Sequence, residues 1–454
     1  MRFVSINPAT GRRIASYRGY SRAEVMQTVA RAHAAQFAWR RLSPAARGKH
    51  LRALARALLA RRDEIAALAT AEMGKPVAQA RAEVEKCALV CDFYAEHGPR
   101  WLADERPAGA PRNARVTFEP LGVVLAIMPW NFPFWQVFRA AAPVLMGGNT
   151  LLLKHAPNVP GCALALANLF SDAGVPAGVF QVLLADTAPV PVLIADPRVR
   201  AVTLTGSTAA GQNVAALAGA AMKPGVFELG GSDAALVLAD ADLAAAAEIC
   251  AHARLLNTGQ SCVCAKRFIV VRSVLRDFEK LFVARMAARR TGDPTDPATQ
   301  LGPLARAGLR DKLHAQITTS IRRGARVLLG GAPLPGPGFF YAPTVLANVR
   351  PGMPAYDEEL FGPVAAIIAV RDEAEAVRAA NATAFGLGAA IFTSSRARAR
   401  RLIPQLEAGS VFVNDFVRSD TALPFGGVKQ SGQGRELGAW GLRAFLNVKT
   451  VVGG

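Results

Sequence analysis

Leu121-Gly-Val-Val-Leu-Ala-Ile-Met-Pro-Trp-Asn-Phe-Pro133 is the stretch whose reading decides the fold. Its first half is an apolar run of strand length. Its second half is broken by two prolines, so the run cannot continue as a helix. Similar short apolar runs follow at 150–153, 179–184, 201–204 and 225–229. Helix-length segments lie between several of them, at 161–173 and 209–219. Strands that alternate with helices predict a mostly parallel sheet, because parallel neighbours need a crossover.

Outward from this core the pattern changes. Upstream, residues 20–105 read as helix, with apolar side chains at helical spacing through Val25, Val29 and Ala32, then Leu51, Leu54 and Leu58. Ser43 followed by Pro44 predicts a capped helix start. Downstream, 234–238, 267–271, 325–329 and 364–370 read as strands, and 242–256, 275–289 and 306–323 as helices. The tail at 445–452 reads as a final strand. Two α/β domains with interleaved edges account for this order.

The chain has 454 residues, of which 51% are hydrophobic and 19% charged, which excludes a mostly disordered chain. At ~100–200 residues per domain, two to four domains are expected. Lys and Arg exceed Asp and Glu by 19 charges. Such an excess raises nucleic acid, anionic membranes or anionic small molecules as partners. The basic residues are spread over Ala-rich segments, and no zinc-finger, RNA-recognition or basic-zipper pattern is present, so nucleic acid is not the expected partner. The start has no apolar signal core, and the uncharged stretch 121–136 is interrupted by Pro129, Asn131 and Pro133. No membrane association is expected. Six cysteines without an export signal point to a cytoplasmic protein with free thiols. Cys87 and Cys91 have no partner pair at a zinc spacing, so no metal site is expected.

Five short segments carry candidate chemistry. In Asn257-Thr-Gly-Gln-Ser-Cys262 a cysteine at a helix end reads as a thiolate nucleophile or as a small buried residue. Glu228, at a strand end before two glycines, reads as a partly desolvated general base or an ordinary strand-end acid. Asn131, held between two prolines, reads as an oxyanion donor or a turn residue. Gly206-Ser207-Thr208, between a strand and a helix, reads as a pyrophosphate site or a plain turn. Glu359-Leu-Phe361-Gly-Pro363 pairs an acid and an aromatic on a turn.

Taken in order, these segments resemble the aldehyde dehydrogenase superfamily along nearly the full chain. The resemblance rests also on Asn7-Pro-Ala-Thr-Gly11, Lys154 and Pro424-Phe-Gly-Gly427. Leu153-Lys-His-Ala-Pro-Asn158, Leu229-Gly-Gly-Ser-Asp233 and Phe425-Gly-Gly-Val-Lys-Gln-Ser-Gly432 are most similar to short bacterial succinate-semialdehyde dehydrogenases. The resemblance implies an α/β fold with a Rossmann-like cofactor domain (1–105 and 122–230), an α/β catalytic domain (231–424) and a small β oligomerisation arm (106–121 and 443–454). Residues 425–442 return to the cofactor domain.

The resemblance also implies roles. Cys262 attacks the aldehyde to form a thiohemiacetal, which becomes a thioester. Asn131 and the Cys262 N–H hold the oxyanion, and Glu228 activates water. Lys154 bonds the adenosine ribose, Ser207 beside Gly206 the pyrophosphate, and Glu359 the nicotinamide ribose. Trp130 and Phe361 pack near the dinucleotide. Pro157 replaces the Glu of many NAD-preferring relatives, which implies that NAD and NADP are both usable. For a substrate with a distal carboxylate, the implied contacts are Arg139, Arg254 and Ser419, with Arg418 as a substitute for the serine. Trp135 and Phe425 wall the tunnel. Cys264 is implied as a redox partner of Cys262. Glutarate semialdehyde or an aliphatic aldehyde is the alternative substrate. A homodimer or homotetramer is implied.

Overall fold

The computed structural model describes residues 2–453. Val123–Met128 is the central strand of a six-stranded sheet. Across that sheet the order is Gly432–Gln433, Gly225–Glu228, Val199–Thr205, Val123–Met128, Thr150–His155 and Phe180–Val182. All neighbours are parallel except the short first pair. Val123–Met128 is apolar throughout and Thr150–His155 is buried throughout, with apolar residues at 151–153, because helices cover both faces of the sheet. From the first of these strands the chain winds one way to Phe180–Val182, then returns to the other side with Val199–Thr205. The reversal opens a crevice at the strands' carboxyl ends, where Trp130, Asn131, Gly206 and Ser207 emerge.

The second sheet has seven strands, in the order Arg326–Leu329, Thr344–Ala347, Val364–Val370, Arg267–Val271, Ala234–Val237, Gly388–Phe392 and Ser410–Val413. Only the outermost pair, Arg326–Leu329 with Thr344–Ala347, is antiparallel. The sheets are joined by the short crossing 229–233, from the end of Gly225–Glu228 to the start of Ala234–Val237. That crossing is tied down by Arg267, which is buried. Arg267 donates from Nε to Ser232 O (2.9 Å), from Nη1 to Ala379 O (2.7 Å) and from Nη2 to Ala380 O (2.9 Å).

The expected helical region resolves into four helices, Arg22–Trp39, Pro44–Ala60, Arg62–Met73 and Val77–Trp101. Ser43 caps the second as predicted, accepting from Ala46 N, and Ser21 forms a capping box with Glu24 on the first. A hairpin of Arg2–Ile6 and Arg13–Arg18 precedes them and was not predicted. In Arg2–Ile6 the buried positions are Phe3 and Ser5 while Val4 and Ile6 are exposed, and Arg13–Arg18 has no buried position, so hydrophobicity does not follow the strand period. Thr344–Ala347, Gly388–Phe392 and Ser410–Val413 were missed as well. Gly388-Ala-Ala-Ile-Phe392 has weak strand propensity, and its neighbours in the sheet override it.

Residues 425–442 pack on the first sheet. Gly432–Gln433 pairs with Gly225–Glu228, and Phe425, Leu437 and Leu442 join the core beneath it. Ala114–Pro120 and Leu446–Val452 form a separate antiparallel ribbon, with Leu446 opposite Pro120 and Val452 opposite Ala114. Val448 and Val452 on this ribbon are exposed.

Arg267→Met removes the partners of three carbonyls around the inter-sheet crossing. Each buried group left unpaired costs about 1–3 kcal/mol. Thermal unfolding should shift down by several degrees, as read by scanning calorimetry, while Arg18→Met on the surface leaves the transition in place.

Candidate active site

A cleft of about 670 Å³ lies between the two sheets. The first sheet contributes Trp130, Asn131, Thr205, Gly206 and Ser207, and the second contributes Cys262, Glu359 and Phe361. Local backbone chemistry sets each of these residues.

Cys262 follows a tight left-handed turn. Asn257, Thr258 and Gly259 have φ of +52°, +56° and +75°. Non-glycine residues pay roughly 1–2 kcal/mol each in this region, so the surroundings must hold them. Asn257 Nδ2 donates to Asn131 O (2.8 Å) and to Gln260 O (3.1 Å), and its backbone N donates to Gln79 Oε1 (2.7 Å). Thr258 Oγ1 accepts from Gly302 N at 3.0 Å. A Cβ at Gly259 would lie 2.1 Å from Gly362 O, so only glycine fits there. Beyond the turn, Lys266 Nζ donates to the carbonyls of Ser261 (3.2 Å), Cys262 (2.8 Å) and Cys264 (3.1 Å).

Asn131 faces this loop. Its Nδ2 donates one N–H to Gln260 O at 3.1 Å, and a carboxamide carries a second N–H for another acceptor. The segment that presents Asn131 is fixed from the helix Val77–Trp101. Glu83 Oε1 accepts from Phe134 N and Trp135 N, both at 2.9 Å, and caps the helix Trp135–Met146. Lys75 pairs with Glu83 and lies 3.7 Å from the centre of the Phe132 ring.

Burial pushes the Cys262 thiol up to about 12, and the nearby charges of Arg139 and Lys266 oppose the rise. Glu228 is buried without a hydrogen-bond partner for either oxygen among the described residues. Burial and the Glu436 carboxylate push its pKa well above the usual range, against the pull of Arg139 and Arg435. Burial thus favours the protonated form of each of these two groups. Gly426 leaves the room that Glu228 occupies, since a Cβ there would stand 2.6 Å from Glu228 Oε1.

The cofactor side of the cleft is built from a helix start and a carboxylate. Ser207 caps Thr208–Ala220, accepting from Ala210 N at 3.3 Å, and the N-terminus of that helix opens into the cleft. Trp130 and Phe361 meet edge to face at 5.8 Å. Glu359 Oε1 accepts from Gly231 N at 3.0 Å and lies 3.8 Å from Lys266 Nζ. Lys154 is buried at the end of Thr150–His155, and burial lowers its pKa. It stands on the adjacent strand, outside the lining of the main cleft. A helix N-terminus, a hydroxyl, an aromatic pair and an acid along one groove suit the pyrophosphate, ring and ribose of a dinucleotide.

The expected substrate residues separate. Arg139 is buried, with Nε on Glu436 and Nη2 on Thr205 Oγ1 (3.1 Å), and its guanidinium lies 4.9 Å from the centre of the Phe425 ring. Nη1 has no hydrogen-bond partner among the described residues. Trp135 and Phe425 are both buried beside it. Arg254 corrects an expectation. It is fully buried behind the nucleophile loop and donates to Ala265 O (3.1 Å) and Gly259 O (2.6 Å), so it is a scaffold for the turn rather than a pocket arginine. Sequence proximity to Asn257 could not show which side of the turn it occupies. Arg418 is exposed and pairs with Asp415 at 2.7 Å, away from the role of a pocket cation. Ser419 accepts from a lysine, Lys86, that the sequence reading did not single out. Cys264 is a free thiol, as are the other cysteines among the described residues, and its Sγ donates to Leu256 O at 3.4 Å. Among the described residues no group of three acidic, His or Cys side chains is gathered to hold a metal ion. Glu436 and Lys266 were also missed, because neither lies in a segment whose spacing marks it.

Comparison with known proteins fixes the class. Residues 1–451 match the aldehyde dehydrogenase family, and the chain belongs to it. It is 49% identical over 449 residues to a succinate semialdehyde dehydrogenase [NAD(P)+] of Escherichia coli, covering 99% of this chain and 97% of that one. It is 48% identical over 454 residues to succinate-semialdehyde dehydrogenase [NADP(+)] 1 of Mycobacterium tuberculosis, covering 99% of each. Among solved structures, succinic semialdehyde dehydrogenase of Streptococcus pyogenes with NADP+ superimposes with a TM-score of 0.96 at 35% identity, covering 99% of each chain. The fold and the enzyme class follow.

The raised thiol gives a pH signature. Only the thiolate alkylates, so below the pKa the rate rises about tenfold per pH unit. Iodoacetamide inactivation of the cofactor-free protein should climb steadily from pH 6 to pH 10 without levelling near 8.5. A plateau in that interval would show that the thiol is not held up by burial.

Proposed function

We propose that the protein oxidises succinate semialdehyde to succinate with NAD or NADP. The meeting of Cys262 and Asn131 in one cleft carries this reading, with the Glu228 carboxylate near enough for its charge to act on the Cys262 thiol, together with relatives of that activity at 48–49% identity.

Cys262 loses its proton, and the thiolate Sγ attacks the aldehyde carbon, so that the carbonyl oxygen takes up the negative charge. The free N–H of Asn131 Nδ2 and the Cys262 backbone N–H hold that oxyanion. Removing such a donor costs on the order of 10²–10³ in turnover. Bound NAD(P)+ supplies the acceptor for the hydride of the adduct, which leaves a thioester on Cys262. Glu228, in its ionised form, then takes a proton from the water that attacks the thioester carbon, and the C–S bond breaks to release the acid and restore the Cys262 thiolate. A carboxylate with a raised pKa is the stronger base for this step. Trp130, Lys154, Gly206, Ser207, Glu359 and Phe361 would hold the dinucleotide. Pro157 places no carboxylate against a 2′-phosphate, which is why both cofactors are assigned. Arg139 Nη1 and Ser419 are the substrate-carboxylate contacts, between Trp135 and Phe425. Cys264 is a redox partner of Cys262 only if the loop lets go of Leu256 O. The exposed ribbon of Ala114–Pro120 and Leu446–Val452 is assigned to pairing in a homodimer or homotetramer. No helix of the described residues is long and apolar enough to cross a membrane. A cytoplasmic location is proposed.

A panel of aldehydes followed at 340 nm with each cofactor tests the reading. Succinate semialdehyde should exceed glutarate semialdehyde and butanal in kcat/KM. NADP and NAD should differ by less than about 10³-fold, the span that one repelled phosphate accounts for.

Glu228→Gln should preserve a first turnover of reduced cofactor and slow steady-state turnover by about 10²–10⁴-fold. Rapid-mixing absorbance at 340 nm separates the two phases. Loss of the first turnover would place Glu228 earlier in the reaction.

A further inference from the structure

We propose that Lys86 is the second cation of the substrate-carboxylate pocket, acting with Ser419 and beside Arg139. This rests on the reading that the substrate carries a distal carboxylate.

Lys86 lies on the helix Val77–Trp101, one turn after Glu83. Glu83 grips the backbone of Phe134 and Trp135, so this helix face is locked against the segment that bears Trp135 and Arg139. Lys86 Nζ lies 4.4 Å from the centre of the Trp135 ring. It donates to Ser419 O at 2.6 Å and to Ser419 Oγ at 2.9 Å. An ammonium has three N–H donors, so one remains. Among the described residues no carboxylate forms an ion pair with it. Burial above all depresses the Lys86 ammonium to about 8, with Arg139 and Arg418 adding to the fall and Cys87 and Asp420 opposing it.

A half-buried cation next to other cations, with an unused donor, is a poor arrangement for stability alone. An anion brought to it relieves the repulsion and takes the free N–H. The aromatic rings here are apolar, Trp135 against Lys86 and Phe425 against Arg139. A ligand that suits these surroundings has a short apolar body with a carboxylate at the end remote from Cys262. Arg254, sealed behind the nucleophile loop, is unavailable for this task, and Lys86 fills the vacant role from a different element. Ser419 serves as the hinge of the pair, since its hydroxyl accepts from Lys86 and keeps its own proton for the substrate.

The test compares succinate semialdehyde with butanal, which has the same carbon count and no carboxylate. In wild type, kcat/KM should favour succinate semialdehyde. In Lys86→Met that preference should fall by about 10- to 100-fold, the span of one charge-assisted hydrogen bond, through KM rather than kcat. Butanal kinetics should stay within about threefold of wild type, which also certifies the fold. Lys86→Arg should recover most of the preference. Competitive inhibition of butanal oxidation by succinate gives a second reading, and Lys86→Gln serves if the methionine variant does not fold. Equal losses for both aldehydes would reduce Lys86 to a structural clamp on the Ser419 loop. Unchanged preference in the variant overturns the role of Lys86 alone. A wild type that treats the two aldehydes alike overturns the substrate reading itself, and this inference with it.

Discussion

The site depends on one reciprocal clasp between the two sheets. Asn257 Nδ2 donates to Asn131 O, while Asn131 Nδ2 donates to Gln260 O. Asn131 belongs to the end of the first sheet, and Asn257 and Gln260 to the loop that leads into Arg267–Val271 of the second. The clasp therefore sets the separation of nucleophile and oxyanion donor. It also holds the left-handed turn at Asn257 and Thr258, which would otherwise relax. Arg254 from behind and Lys266 from the side each satisfy carbonyls of the same loop. The loop is rigid because its carbonyls are answered by side chains from three directions.

The second constraint is the cost of buried charge. Glu228, Glu436 and Arg139 share one buried region, where two carboxylates face the Arg139 guanidinium and Arg435 acts on Glu228 as well. Both acids are pushed up by burial, and Glu436 has the ion pair with Arg139. Glu228, without a hydrogen bond, is the more easily protonated of the two. Protonation of Glu228 relieves the desolvation penalty of a second buried carboxylate. The same burial makes the ionised form of Glu228 a stronger base, as the proposed hydrolysis of the thioester requires. The neutral state of Cys262 has the same origin. The cations that oppose it, Arg139 and Lys266, mark the direction in which further positive charge or lost burial would move it.

Much of this was legible in the sequence, for reasons that can be named. Arg267–Val271 and Val364–Val370 read as strands because parallel strands covered on both faces are continuous apolar runs. Asn131, Glu228 and Cys262 were legible because each stands in a segment of glycines and prolines that dictates its backbone. Gly388–Phe392 was not, because its strand character comes from the neighbours. The N-terminal hairpin was not, because Ser5 is buried while Val4 and Ile6 face out, so its residue types do not report its burial. Arg254 was misplaced, because a left-handed turn sends residues close in sequence to opposite sides of a loop. Lys86 was invisible for the opposite reason: its partner Ser419 is 333 residues away.

The excess of basic residues can now be divided by what holds each one. Arg254 and Arg267 are buried on carbonyls, where a guanidinium satisfies several acceptors at once. Arg61 and Arg398 each bridge two acids on the surface. These groups are spent on the fold and are not free to attract a ligand. Arg139 is different, since it shares its charge with one carboxylate and keeps a nitrogen unpaired. Lys86 is more so, since it meets only a serine and an aromatic face. The long-range field of the chain helps gather an anion, but selection among anions requires a cation that lacks a partner at short range. By that criterion the proposed substrate reading puts selection at Arg139 and Lys86, and leaves the remaining surface charge to encounter rather than to choice.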